Sequence, residues 1–166
     1  MGHRTLLADE RDDDYELYET QWGGDGFALA GTLRSGPGPG PPVPSRQCGV
    51  AASVREVATD HVDYLHHEAV YVVDADEVRC YRPLWFGLAD DCERVETSRT
   101  VGNGVLMGRG TDEDGYVRGW FRGVKSTVAD GVDRGVCTVP TAVAYLRSRV
   151  GAFAGPRSVV DGRPTG

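Results

Sequence analysis

Ala69-Val70-Tyr71-Val72-Val73 is an unbroken apolar run rich in β-branched residues. A run of that kind and length is what a strand covered on both faces looks like, the centre of a sheet. Both flanks support it. Upstream, Ser53-x-x-Glu56 is a capping box, in which the Ser53 hydroxyl accepts from the Glu56 amide and the Glu56 carboxylate reaches back to the Ser53 amide. Val54, Val57, Ala58, His61, Val62 and Leu65 then fall on one helical face. Downstream, Asp74-Ala75-Asp76-Glu77 turns the chain, and Val78 to Arg82 returns as a hairpin partner until Pro83 ends the pairing. The segment 53–88 is therefore expected as a capped helix running into a β-hairpin, with the rest of the chain packed around it.

The N-terminal part adds a second hairpin. Arg4 to Glu10 and Tyr15 to Trp22 flank the turn Asp12-Asp13-Asp14 and alternate apolar with polar residues, so one face is wet. Gly23-Gly24-Asp25-Gly26 ends it. Phe27 to Leu33 is short and ambiguous. Gly36 to Pro44 alternates glycine with proline, which removes both rigidity and donors, so Arg34 to Gln47 reads as a loop, with a proline-rich adaptor ligand as the sharper alternative.

The C-terminal half supplies helices. Asp90 to Arg99 is a polar loop, and Val101 to Met107 is a strand whose Gly102 and Gly104 mark a bulge or a close backbone approach. Val117, Trp120, Phe121, Val124, Val128 and Val132 trace a second helix. Gly119, Gly123 and Gly131 weaken it by about 1 kcal/mol each, which reads as room for close packing. Gly135 closes that helix. Thr138 caps a third, with Pro140 in its first turn and Val139, Ala142, Val143, Leu146, Val150 and Phe153 on its apolar face. Gly155 to Gly166 reads as a frayed tail.

The expected fold class is α+β: a largely antiparallel sheet of about five strands with three helices packed on one side of it. The expected domain is single and spans residues 1–153, with the Gly/Pro-rich loop at 34–47 inside it and a flexible tail at 154–166.

The charge balance narrows the surroundings. There are 16 Asp and 9 Glu against 17 Arg and a single lysine, Lys125, for a net charge of −7 over 166 residues. Asp excess with almost no Lys points to a salt-saturated cytoplasm, where the Debye length is about 3 Å or less and like charges repel little. A high-GC genome explains Arg over Lys but not the Asp excess. No stretch approaches the roughly 20 apolar residues of a membrane span, and no apolar secretory h-region is visible. The expected location is a high-salt cytosol, or a virion for a viral source. Cys48, Cys80, Cys92 and Cys137 form no Cys-x-x-Cys pair and are expected as buried free thiols.

Several runs carry a resemblance: Met1-Gly2-His3-Arg4-Thr5-Leu6-Leu7, Tyr64-Leu65-His66-His67-Glu68-Ala69, Leu84-Trp85-Phe86-Gly87-Leu88, Thr100-Val101-Gly102-Asn103-Gly104 and Tyr116-Val117-Arg118-Gly119-Trp120-Phe121-Arg122-Gly123. Over most of residues 1 to 150 the chain resembles a haloarchaeal family of small proteins of unknown function that opens Met-Gly-His-Arg. The resemblance implies a halophilic archaeon or one of its viruses as the source. It implies no activity.

The residues offer several candidate sites. His61, His66, His67 and Glu68 bring metal-type ligands together, but His61 to His66 is i+5, about 140° apart on a helix, so a shared metal needs the helix to end between them. The bland reading is a core-facing His61 and two histidines at a helix C-terminus. Removal of Met1 would leave Gly2-His3, an amine and imidazole suited to Cu(II) or Ni(II), or simply the start of a strand. Arg118, Trp120, Phe121, Arg122 and Lys125 combine cations with aromatics as a single-strand-binding face does, although the same pattern describes a helix with Trp120 and Phe121 buried and the cations solvated. Trp85 and Phe86 are a partner-binding hot spot if exposed and part of the core if buried. No nucleophile elbow, cysteine-protease signature or Walker loop is present, so no catalytic residue and no cofactor is expected.

The expected role is a non-enzymatic interaction module that docks on a protein partner or a larger assembly. The alternatives are an accessory protein binding RNA or single-stranded nucleic acid, and a metal-dependent hydrolase built on His61, His66 and His67.

Overall fold

The computed structural model describes residues 4–35, 44–111 and 114–163. The candidate at Gly2 and His3 and most of the Gly/Pro run lie outside them. Seven strands form one sheet in the order β3-β2-β1-β4-β5-β6-β7: β1 Thr5–Arg11, β2 Asp14–Thr20, β3 Arg46–Ala51, β4 Ala69–Val73, β5 Val78–Trp85, β6 Gly104–Gly108 and β7 Val159–Asp161. β1 runs parallel to β4, and the other neighbours are antiparallel. Four α-helices accompany the sheet: α1 Ala30–Ser35, α2 Val54–Glu56, α3 Asp114–Asp133 and α4 Val139–Ala154.

The sheet is α+β and mostly antiparallel as expected, with β4 near its middle and Ala69 to Val72 buried. It has seven strands rather than about five. One addition is β3, which begins inside the expected 34–47 loop. It is a wet edge strand with Cys48 bulged between the pairs Leu17↔Gly49 and Tyr18↔Gln47, a device that spoils an edge for further pairing. The other is β7, where a frayed tail was expected. Val159 and Val160 pair with Met107 and Leu106, so residues 159–161 belong to the sheet.

Helices lie on both faces, not one. Leu84, Val105 and Met107 pack under α3 and α4 with Phe121, Val128, Leu146 and Val150. On the same face, Leu7, Tyr71 and Cys80 are covered by Phe27, Leu29 and Ala30 at the start of α1. On the opposite face, Leu6, Ala8, Val70, Val72, Tyr81 and Leu106 meet Val57, Ala58, Val62 and Tyr64.

The first expected helix is much shorter than its pattern. Ser53 caps it, its hydroxyl accepting from the Glu56 amide at 3.1 Å. The Glu56 carboxylate reaches the amide of Ala52 rather than that of Ser53. After one turn of α2 the chain makes a π turn over Val57–His61 and becomes extended at Val62. Leu65, expected on the buried face, is exposed. The reason is an interlock with the sheet end. The Tyr64 hydroxyl donates to Ala58 O at 2.9 Å, Tyr64 N–H donates to Thr100 O at 3.0 Å and Gly102 N–H to Val62 O at 3.2 Å. Gly102 has φ +65°, and a Cβ there would strike Thr59 O. A Cβ on Gly104 would strike Leu84 O and the Tyr64 ring. The expected close backbone approach is thus to the segment that replaces the helix at Gly102, and to β5 at Gly104.

Pairing of β5 with β4 stops at Tyr81, before Pro83, as expected, but the strand itself runs on beside β6. Phe86 N–H donates to Asn103 O, so even-numbered residues of β5 aim their main chain at β6. Pro83 and Trp85 aim theirs at the opposite side, beyond the last pair with β4, Val70↔Tyr81. The missing proline N–H therefore costs no ladder bond, and pairing with β6 continues from Tyr81 to Trp85.

The second and third helices form where expected. α3 closes at Gly135, φ +72°. Thr138 caps α4 by accepting from Thr141 N–H at 3.3 Å. All four cysteines are free, with Cys80 and Cys92 buried, Cys137 half-buried and Cys48 exposed. No helix among the described residues is long and apolar enough to cross a membrane.

Candidate functional site

The open side of β5 creates a cleft. β4 begins at Ala69, so the loop before it stands opposite Pro83, Leu84 and Trp85 without pairing to them. The space between, about 410 Å³, is lined on its other side by α3. That volume is in the range of small-ligand sites. Its lining brings together residues from three separate sequence candidates: His67 and Glu68 from the loop, Trp85 from β5, and Arg118, Arg122 and Lys125 from α3. Arg82, Asp90 and Asp91 join them.

Lys125 was expected on a solvated face with Arg118 and Arg122. It is buried, 8% exposed. Its Nζ lies 4.2 Å from the centroid of the Trp85 ring and 3.5 Å from Asp91 Oδ2. Burial lowers its ammonium pKa from the ordinary lysine value, against the opposing pull of Asp91. Trp85 is fixed for this contact: its Nε1–H donates to Arg99 O at 2.8 Å, and the absence of a Cβ at Gly87 leaves room for the ring.

Arg82 holds the wall. It is 4% exposed and makes paired contacts to Asp114, Nε to Oδ1 and Nη2 to Oδ2, each 2.8 Å. Its guanidinium also donates to Gly24 O and lies over the Phe27 ring. Burial, and next the neighbouring Arg118, hold it below the usual arginine value. Arg118 reaches Asp114 at 3.1 Å and Glu68 at 3.8 Å, yet its Nε and Nη2, shielded from water, hydrogen-bond neither. Arg122 is exposed and forms no ion pair among the described residues.

The three histidines go to three places. The helix does end between His61 and His66, but the rings do not converge. His61 packs beside Gly49 of β3. His66 Nδ1 is 2.9 Å from Asp63 Oδ2 at the surface. His67 is buried, accepts from Asp63 N–H on Nδ1 at 3.0 Å, and so carries its proton on Nε2, 3.6 Å from Glu19 Oε2. Burial keeps its pKa below the ordinary value despite that carboxylate. Among the described residues, no three His, Cys, Asp or Glu side chains are grouped to hold a metal ion.

The aromatic candidates divide as well. Trp85 and Phe86 are 7% and 0% exposed and close the core, so neither offers an exposed anchor. Phe121 is buried. Trp120 is half-buried and stacked on Phe153 of α4, centroids 3.9 Å apart, so this ring face is already occupied.

A family model matches residues 28–160 and is described as a family of unknown function, DUF6735. The chain belongs to that family. No curated protein and no solved structure matches the chain. The DUF6735 match takes in every residue of the cleft and all of α3, and the Met-Gly-His-Arg opening lies outside it.

The cleft sets the side chains of Arg82, Arg118, Arg122 and Lys125 against the carboxylates Glu68, Asp90 and Asp91, with Asp114 a fourth carboxylate on Arg82 and Arg118. The charges balance, so the side of the cleft open to an anionic group is Arg122, exposed, and the Arg118 Nε and Nη2 that hydrogen-bond no carboxylate, beside an aromatic wall. Sequence reasoning missed Arg82, Asp90 and Asp91 because no spacing links them to α3. A signal for Lys125 was present, since it is the chain's only lysine.

A second feature lies on the outer side of α3. Gly115, Gly119 and Gly123 recur every fourth residue and are all exposed. A Cβ added to any of them would meet nothing within 4 Å. Tyr116 stands beside the stripe, 61% exposed.

Proposed function

We propose that the protein is a non-enzymatic interaction module that docks on a protein partner or larger assembly by seating a helix of that partner along Gly115, Gly119 and Gly123. The observation that carries the reading is the open space in front of those three glycines. Each costs the helix about 1 kcal/mol against alanine, and nothing among the described residues packs closely there in return. A partner helix would use the space, because a stripe without Cβ atoms lets another backbone approach. Tyr116 and Arg122 at its rim supply the residue types that anchor interfaces.

The test is the native size of the untagged protein in a cleared lysate kept at molar salt, by gradient sedimentation. Wild type is expected to run with a larger particle that nuclease leaves intact, and Gly119→Leu to run free near 17.9 kDa with no loss of thermal stability. Wild type running free overturns the reading. A large particle dissolved by nuclease overturns it in favour of a nucleic-acid partner.

The surroundings that fit are a high-salt cytosol, or a virion, of a halophilic archaeon or its virus. The support is the excess of Asp with one Lys. The urea midpoint is expected to rise steadily with KCl up to molar concentrations, and a midpoint independent of salt counts against this origin.

A further inference from the structure

Every side-chain cation of the chain apart from Lys125 is arginine or histidine. The one amine sits where a guanidinium would be the ordinary choice, buried beside an aromatic ring and a carboxylate. Arginine binds anions better and stacks on rings as well, but it cannot lose its proton and act as a nucleophile. Lysine can.

We propose that Lys125 is the amine of a carbonyl-binding site: the cleft takes a small aldehyde or α-oxo acid bearing an anionic group, and Lys125 Nζ holds its carbonyl carbon as an imine. This goes beyond the docking reading and uses the adjoining surface, with Arg122 at the border of the two. The amine and the anion site face one space, because Lys125, Arg118 and Arg122 all line the cleft. Arg118 brings shielded Nε and Nη2 atoms that hydrogen-bond neither of their carboxylates, and Arg122 is exposed at the cleft. Leu84, Trp85 and Phe121 give the apolar wall that limits water.

The step balances without a redox partner. The Nζ lone pair of the neutral amine attacks the carbonyl carbon while the carbonyl oxygen takes a proton, giving a carbinolamine. Nitrogen then loses a proton, the hydroxyl leaves as water, and the C=N bond forms. Asp91, 3.5 Å from Nζ, is placed to relay a proton between nitrogen and the departing oxygen. Burial of the ammonium also raises the fraction of neutral amine.

The experiment is reductive trapping. The purified full chain is incubated with glyoxylate and cyanoborohydride, and adducts are located by peptide mass mapping. Because Lys125 is the only lysine, the N-terminal amine is the one competing group. One adduct at Lys125 is expected, formed about tenfold or more faster than on Nα-acetyl-lysine amide, because burial lowers the ammonium pKa and the cleft holds the aldehyde beside the amine. Lys125→Arg, which keeps the charge, is expected to be modified at the N-terminus alone. Propionaldehyde, which lacks the anionic group, is expected to react about tenfold more slowly than glyoxylate relative to the same pair on the free amino acid. An unmodified Lys125, or one no faster than the free amine, overturns the proposal. Equal relative rates for the two aldehydes overturn its anionic selectivity.

Discussion

Two sets of glycines in this protein sit in opposite settings. Gly102, Gly104 and Gly162 lie in the interlock at the end of the sheet, where Cβ atoms would strike Thr59 O, Leu84 O, Ala58 O and the Tyr64 side chain. Gly115, Gly119 and Gly123 lie on the outer side of α3, where a Cβ would strike nothing. The first set is explained by the chain's own backbone. The second costs helix stability and gains no contact among the described residues. Glycine spacing thus says that something approaches closely, and only the fold says whether that something belongs to the same chain.

The largest test of the contrast is Gly102→Ala, which combines a positive φ with a backbone collision. It is expected to cost about 3 kcal/mol, read as a lower urea midpoint at unchanged slope. The opposite sign is expected for Gly115→Ala, Gly119→Ala and Gly123→Ala combined, a gain of about 2–3 kcal/mol and a melting temperature higher by roughly 5–10 °C. A loss of stability in that triple variant would mean the stripe is packed from within, and the contrast breaks. Tyr64→Phe sharpens the inner side: it leaves Ala58 O without its donor at an expected cost of about 1–2 kcal/mol in the same assay.

The smallest effect is at His67, which links the interlock to the cleft through Asp63 N–H. Its folded pKa lies below the ordinary 6.5, so the unfolded chain takes up a proton first. The stability from a neutral His67 is whole above about pH 6.5 and is lost as the pH falls below it. Between about pH 7.5 and 5.5, His67→Gln is expected to lose less stability than wild type, by under about 1 kcal/mol. An equal loss in the two proteins would place the acid sensitivity elsewhere.

Much of the frame was legible because it is local. The apolar run 69–73, the Thr138 cap and the period of α3 each rest on residues close in sequence, and each appears in the structure. β3 and β7 were not legible. β3 is a wet edge with a bulge, which has the composition of a loop, and β7 is three residues long. The helix after Ser53 failed for the reverse reason: its 3.6-residue pattern was sound, but Tyr64 and the backbone bonds to Thr100 and Gly102 outweigh it. Of the cleft, single members were visible but their meeting was not, because β5 had to run past Pro83 for Trp85 to face Lys125. The buried state of Lys125 depends on that non-local step and could not be read from the helix alone.

The parallel pairing of β1 with β4 has a consequence for how the chain comes together. β1 to β3 are antiparallel neighbours in chain order, and so are β4 to β6, each group opened by a tight hairpin and completed by a longer return, over 21–45 and 86–103. The two become a single sheet only where Thr5 to Asp9 meet Ala69 to Val73, across most of the first half of the chain. Loop-closure entropy must be met there before any contact rewards it. Folding is therefore expected to be slowest at that seam, so that substitutions at Leu7 or Tyr71 slow folding and those in α4 speed unfolding in stopped-flow measurements.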